Sequence, residues 1–216
     1  MSASARRVQV LDVATEMVSE QGFQGISIQA VASRAGVTRP IVYTHFGSLQ
    51  GLLEAVVKRE ISRARKQVDE TRLRALSDGD PAELMLESLA SYLAAVKEHP
   101  ATWKLVLTPP EGAPRSLHKR IVRGRSRVLR SLTDAVRPGS LPGDLSEDPE
   151  LTARILSAMA DEYARLVLSD VDRFPPERLL EHARWWLSQI AGVGGVAGAA
   201  PAGETEADPG RTPRRR

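Results

Sequence analysis

Apolar side chains recur along this chain at helical spacing and nowhere alternate with polar ones over the length of a strand, so the pattern predicts an all-α protein. Gly and Pro punctuation divides it into about nine helices. The first runs from roughly Ser4 to Gln21, with Leu11, Ala14 and Val18 on one face and Gly22 placed to stop it. Two very short helices follow, then a long fourth from about Ser48 to Arg72. Later starts are marked by Asp80-Pro81 and Asp148-Pro149, a capping acid before a proline in the first turn, with Glu83 and Glu150 on the positive end of the helix dipole. His99-Pro100, Thr108-Pro109-Pro110 and Phe174-Pro175-Pro176 are further breaks.

The two short helices carry a mechanical signature. Ser27 caps a helix whose Ile28, Val31 and Ala32 are buried, and Ala35 is small enough for a second helix to cross closely. Gly36 makes the turn, Val37 plugs the angle, Thr38 caps the second helix, and Pro40 lacks only an amide that the first turn leaves free. That is a helix-turn-helix. Val42 and Phe46 point to the core, while Arg39, Pro40, Tyr43, Thr44 and His45 form an exposed face that fits a DNA major groove. Arg39 suits guanine O6 and N7, Pro40 a thymine methyl, and Tyr43 and His45 the phosphates. Gln29 is within reach of a base or phosphate. Ser48, capping the fourth helix, offers a phosphate site at a helix N-terminus.

Over about residues 6–60 the chain resembles the DNA-binding domain of the tetracycline-repressor (TetR) family of bacterial regulators. The resemblance rests on the runs Ala32 to Val37, Val42 to Ser48 and Leu52 to Val56. One position departs: such proteins often have Lys just after the cap of the fourth helix, and here stands Leu49. The resemblance implies an N-terminal three-helix DNA-binding domain, a C-terminal helical domain for ligand binding and dimerisation, and pairing of the last two helices with their symmetry mates.

The wheel of the last helix puts Leu179, Leu180, Ala183, Trp186, Leu187 and Ile190 on one stripe and Trp185 opposite, among Arg178, Glu181 and Ser188. A lone Trp on a polar face is the pattern of an interface anchor. The preceding helix is apolar on two sides: Leu151, Ile155, Met159 and Leu166 on one, and Ala153, Leu156, Ala160, Ala164 and Val167 on the other. The second side, with Trp185, is expected to form a four-helix dimer interface. Polar residues sit inside apolar stripes: His118 and Arg125 among Leu117, Ile121, Val128, Leu132 and Ala135, and Glu162 among Ile155, Met159 and Leu166. Buried charges want partners. They form either an internal Arg125–Glu162 pair or the polar wall of a ligand pocket, whose apolar walls are Met85, Leu89, Tyr92, Trp103, Leu107, Ile121, Met159 and Tyr163; plain core is the bland alternative for the latter.

The composition, 42% apolar and 26% charged over 216 residues, is that of a globular protein with enough chain to bury a core. With no Cys there is no disulfide or thiol chemistry, which suits a cytoplasmic protein. No apolar run approaches a membrane span, and Asp12 and Glu16 interrupt the N-terminus where a signal peptide is apolar. The four His share no metal spacing, and neither a GxSxG elbow nor a phosphate loop is present, so no metal, cofactor or enzymatic site is read. Residues 114–137 hold 8 basic and 1 acidic side chain, and the outward Lys119, Arg120, Arg123, Arg127 and Arg130 read as a solvated surface. In residues 1–50 only Arg6, Arg7, Arg34 and Arg39 are basic, so one copy would bind DNA weakly and two are implied.

The expected organisation is a DNA-binding domain over 1–47, a connecting helix over 48–72, a ligand-binding and dimerisation domain over 73–191, and a disordered Gly/Ala/Pro-rich tail over 192–216 that ends in Arg214, Arg215 and Arg216. The expected function is a homodimeric regulator, a repressor released from a palindromic operator by a small molecule. The alternatives are a ligand-independent architectural DNA-binding protein and an all-helical enzyme.

Overall fold

The computed structural model describes residues 2–74, 80–136 and 147–194. Among these, all regular structure is helical: α1 (Ala3–Gln21), α2 (Ile28–Arg34), α3 (Arg39–Phe46), α4 (Leu49–Arg74), α5 (Pro81–Glu98), α6 (Pro100–Leu107), α7 (Arg115–Ala135), α8 (Pro149–Ser169) and α9 (Pro176–Gly194). The last helix runs through Gly194, past the start of the expected tail. The rest of that tail, with its three terminal arginines, lies outside the described residues, as does the side chain of Ile190.

Side chains set most of the starts. Ser2, Ser27, Asp80 and Asp148 each accept a hydrogen bond from a backbone N–H two or three residues on. Ser48 Oγ accepts from the Gly51 N–H at 3.0 Å. Thr38 occupies the cap position of α3 but makes no capping bond, so α3 begins on the fixed φ of Pro40 instead. Gly22 ends α1 at φ 75°, its N–H bonded to the Val18 carbonyl.

Two principal groups of buried apolar residues divide the protein. The N-terminal one joins Val10, Leu11, Val18, Phe23, Val31 and Val42 to Leu52, Val56 and Val57 of α4, and also takes in Leu105 of α6 and Leu117 of α7. The second joins Leu93 and Val96 of α5, Trp103 and Leu107 of α6, Tyr163, Ala164 and Val167 of α8, and Leu179, Ala183 and Leu187 of α9. Helix α4 runs through both, contributing Ala64 to the second.

The two groups meet at a buried carboxylate. Glu60 of α4 is 1% exposed and accepts from Thr15 Oγ1 of α1 at 3.2 Å, from Thr102 Oγ1 of α6, and from Arg59 Nε at 2.7 Å. Arg59 reaches on to Asp12 and to Thr15 Oγ1. Burial pushes the Glu60 carboxyl up, but the Thr102 hydroxyl and the Arg59 and Arg63 guanidiniums outweigh it and hold the group below its ordinary value.

Candidate DNA-reading helix and polar core

The helix-turn-helix is built as its residues require. Val31, Ala32, Ala35 and Val42 are buried, and Val37 and Phe46 pack against them from the turn and from α3. Gly36 sits at φ 61° in the left-handed region, where a side chain is strained. Gly51 is more tightly constrained, because a Cβ there would stand 2.1 Å from the Phe46 carbonyl oxygen. The close approach fixes how α4 leaves α3.

What remains outside is the expected reading face. Arg39, Pro40, Tyr43 and Thr44 are exposed and His45 is half-buried against Phe46, edge to face. Thr44 Oγ1 donates back to the Pro40 carbonyl at 2.9 Å. Ser27 and Gln29 are exposed at the start of α2, with the Ser27 oxygen engaged as a cap. Two of the four cations of this region are committed: Arg34 forks onto Glu20 with Glu16 nearby, and Arg7 lies over the Phe46 ring, 5.1 Å from its centroid.

The residues expected to line one pocket are not brought to one place. Ile121 packs against the N-terminal group, Met85 beside Val136 and Leu156, and Leu89, Tyr92, Trp103, Leu107 and Tyr163 in the second group, while Met159 touches both of the latter clusters. His118 is exposed, with Nδ1 only 3.4 Å from the Pro114 carbonyl, because its wheel position falls at the rim of the stripe. Arg125 is half exposed and pairs not with Glu162 but with Asp161, at 3.1 Å. Glu162 is exposed and bonded to Arg165. One residue is 100° of helical rotation, enough to exchange an inward carboxylate for an outward one.

Asp161 is the residue that sequence reasoning missed, and a polar chain runs from it. Arg125 of α7 donates to Asp161 of α8, the Tyr92 hydroxyl of α5 donates to the same carboxylate at 3.4 Å, and Tyr92 meets Trp103 edge to face with centroids 4.8 Å apart. The Trp103 indole N–H donates in turn to Gln67 Oε1 of α4 at 3.0 Å. Burial raises the Asp161 carboxyl above its ordinary range, against the pull of Arg125 and Arg165. Burial and the Asp161 charge push the Tyr92 hydroxyl up, so it stays a donor. Five helices thus converge on two sets of hydrogen bonds joined by the Tyr92–Trp103 ring contact, a pattern able to orient a polar ligand group. No group of His, Cys, Asp and Glu that could hold a metal occurs among the described residues. No helix among them is long and apolar enough to cross a membrane.

The expected dimer face of α8 also needs correction. Leu156, Ala164 and Val167 are buried inside the protomer and Ala160 is half-buried, because this side of α8 packs on α5 and its neighbours. On the opposite side only the N-terminal part is free: Leu151 is 54% and Ile155 49% exposed, whereas Met159 and Leu166 pack against the second apolar group. Trp185 of α9, 56% exposed, does face outward as its wheel position predicts, beside His182, whose Nδ1 lies 2.7 Å from the Tyr163 hydroxyl.

Residues 10–56 match the family of bacterial regulatory proteins described as tetR. The chain is 28% identical over 148 residues to an uncharacterized HTH-type transcriptional regulator of Mycobacterium tuberculosis, covering 65% of this chain and 68% of that one. Among solved structures, a TetR-like transcriptional regulator from Rhodococcus sp. RHA1 superposes with a TM-score of 0.71 at 21% identity, over 92% of this chain and 100% of that one. AibR, solved in complex with isovaleryl coenzyme A and operator DNA, superposes with a TM-score of 0.64 at 18% identity, over 85% and 97%. Residues 10–56 thus carry the helix-turn-helix domain of the tetR family of bacterial regulatory proteins, and the chain as a whole has a fold similar to that of TetR-like regulators.

Proposed function

We propose that the protein is a homodimeric repressor that binds a palindromic operator through two copies of α3 and is released when a small molecule binds among α4 to α8. The observation that carries the reading is the exposed face of Arg39, Pro40 and Tyr43 on a helix-turn-helix rooted in α4, the same helix that carries Gln67 into the polar chain. In this reading residues 1–47 read DNA, 48–72 connect, and 73–191 bind ligand and partner. Arg125, Asp161 and Tyr92 orient the polar end of the ligand, and Leu89, Trp103 and Met159 hold its apolar part. AibR supports the pairing of an operator and a small acyl ligand on one such fold. Leu151, Ile155 and Trp185 supply the apolar area for a two-fold dimer. Such a regulator works in the cytoplasm, where its operator is.

The test is footprinting on DNA around the protein's own gene, over a salt series, with and without a cell-metabolite extract. A protected palindrome whose occupancy falls with extract is the expected result. Sequence-indifferent binding unaffected by extract would overturn it.

A further inference from the structure

Helix α7 carries on its outer side a stripe of charge for which the protein itself has no use. Arg115, Lys119, Arg120, Arg123, Arg127 and Arg130 are all exposed and fall within a sector of about 140° on the helical wheel. None of the six has an ion-pair or hydrogen-bond partner among the described residues. Carboxylates on the helices packed against α7 are engaged elsewhere: Glu54 accepts from Ser116, Asp161 from Arg125 and Glu162 from Arg165. Arg115, Lys119, Arg123 and Arg127 follow one another at four-residue intervals, where like charges oppose each other along a helix. The stripe is therefore unfavourable to its own helix.

The reading helix has the opposite shortage. Arg34 is clasped by Glu20 and Arg7 covers Phe46, leaving Arg6 and Arg39 as the cations of residues 1–50 without such a contact. Yet α7 starts beside that region, with Leu117 buried in its apolar group and Ser116 bonded to Glu54 near the start of α4.

We propose that the outer face of α7 is a second surface for duplex DNA, one that grips the phosphate backbone without reading sequence. From Arg115 to Arg130 the helix rises about 22 Å. One strand of a duplex places a phosphate every ~3.4 Å of axis and winds as it rises, so only part of the phosphates along this length face the stripe, and the six cations span more than one of them. The stripe has no aromatic residue on which single-stranded bases could stack. Val122 is the one large exposed apolar side chain of α7, too little for a lipid surface. The occupant is DNA beyond the operator half-site, held by charge alone.

The experiment measures affinity of the full chain for a random-sequence duplex about four helical turns long, at salt between about 50 and 200 mM. It compares the wild type with Lys119→Gln/Arg123→Gln/Arg127→Gln/Arg130→Gln and with a control of equal charge, Lys97→Gln/Arg154→Gln/Arg165→Gln/Arg184→Gln. The α7 variant is expected to show a salt slope shallower by about 0.9 for each phosphate that is no longer neutralised, while the control keeps the wild-type slope. The half variants Lys119→Gln/Arg123→Gln and Arg127→Gln/Arg130→Gln each give part of the effect and serve if the fourfold change disturbs folding. An unchanged slope, an equal change in the control, or a larger loss of binding to poly-glutamate than to duplex would each overturn the proposal. Wild-type binding with an unchanged slope in the α7 variant overturns this surface alone, whereas a wild type that binds no DNA overturns the repressor reading as well.

Discussion

Single residues divide here by whether their contacts can be replaced by water. Arg39 is solvent-facing, so removing it costs the fold little, and under the proposed function it costs the complex a base contact. Arg39→Ala is expected to lose ~1–3 kcal/mol of specific binding and to relax preference at one operator position, read by binding to a library of single-base operator variants. Glu60 is the reverse case. Taking away its carboxylate leaves the Thr15 and Thr102 hydroxyls and the Arg59 Nε–H without their acceptor, with Arg59 still held by Asp12. Glu60→Ala is expected to cost about 3–5 kcal/mol in denaturant unfolding. Because the folded pKa of Glu60 lies below its ordinary 4.5, its stabilising share is full above about that pH and disappears as pH falls through the lowered value. Asp161 has the opposite sign: raised from 3.8, it favours the fold below that pH and this share is lost as pH rises through its folded value. Glu60→Gln should therefore flatten the acid loss of stability, while Asp161→Asn should gain relative to wild type as pH rises, which melting temperatures across an acid series will check.

Between elements, the sharpest constraint is the corner where α3 hands over to α4. Gly51→Ala drives a Cβ into the Phe46 carbonyl, a backbone atom that cannot rotate aside. About 1–3 kcal/mol of destabilisation is expected, together with loss of operator binding, measured by thermal unfolding and by titration. Gly124→Ala, where a Cβ meets nothing within 4 Å, is the matched change expected to leave both intact. This corner also marks what could be read in the chain beforehand. Apart from the Thr38 cap, which makes no capping bond, the helix-turn-helix was legible in the sequence, because the Ser27 cap, the Gly36 turn and the small Ala35 are local requirements. The starts of α5 and α8 were legible for the same reason. The pocket was not, since Ile121, Met85 and Tyr163 look alike on their wheels yet go to different apolar groups. Nor was Asp161, whose inward direction depends on where α7 and α5 press on α8. The two apolar sides of α8 could be seen, but which one the protomer itself covers is a matter of tertiary packing.

At the scale of the molecule, α8 and α9 leave Leu151, Ile155 and Trp185 uncovered. Trp185→Arg is expected to weaken self-association by about 2 kcal/mol or more, roughly 30-fold, and Ile155→Glu to act in the same direction. Sedimentation over a concentration series measures both, and a profile identical to wild type would remove this face as the interface. The joint between the two halves bears on engineering. Leu105 and Leu117, far along the chain, complete the apolar group that supports the reading helix. A chimera that transplants residues 1–47, or even 1–72, onto another regulator leaves two sockets for side chains the new host does not supply. Exchange of DNA specificity between such proteins thus calls for grafting α6 and the first turn of α7 along with the N-terminal helices, a cut that follows the packing instead of the chain.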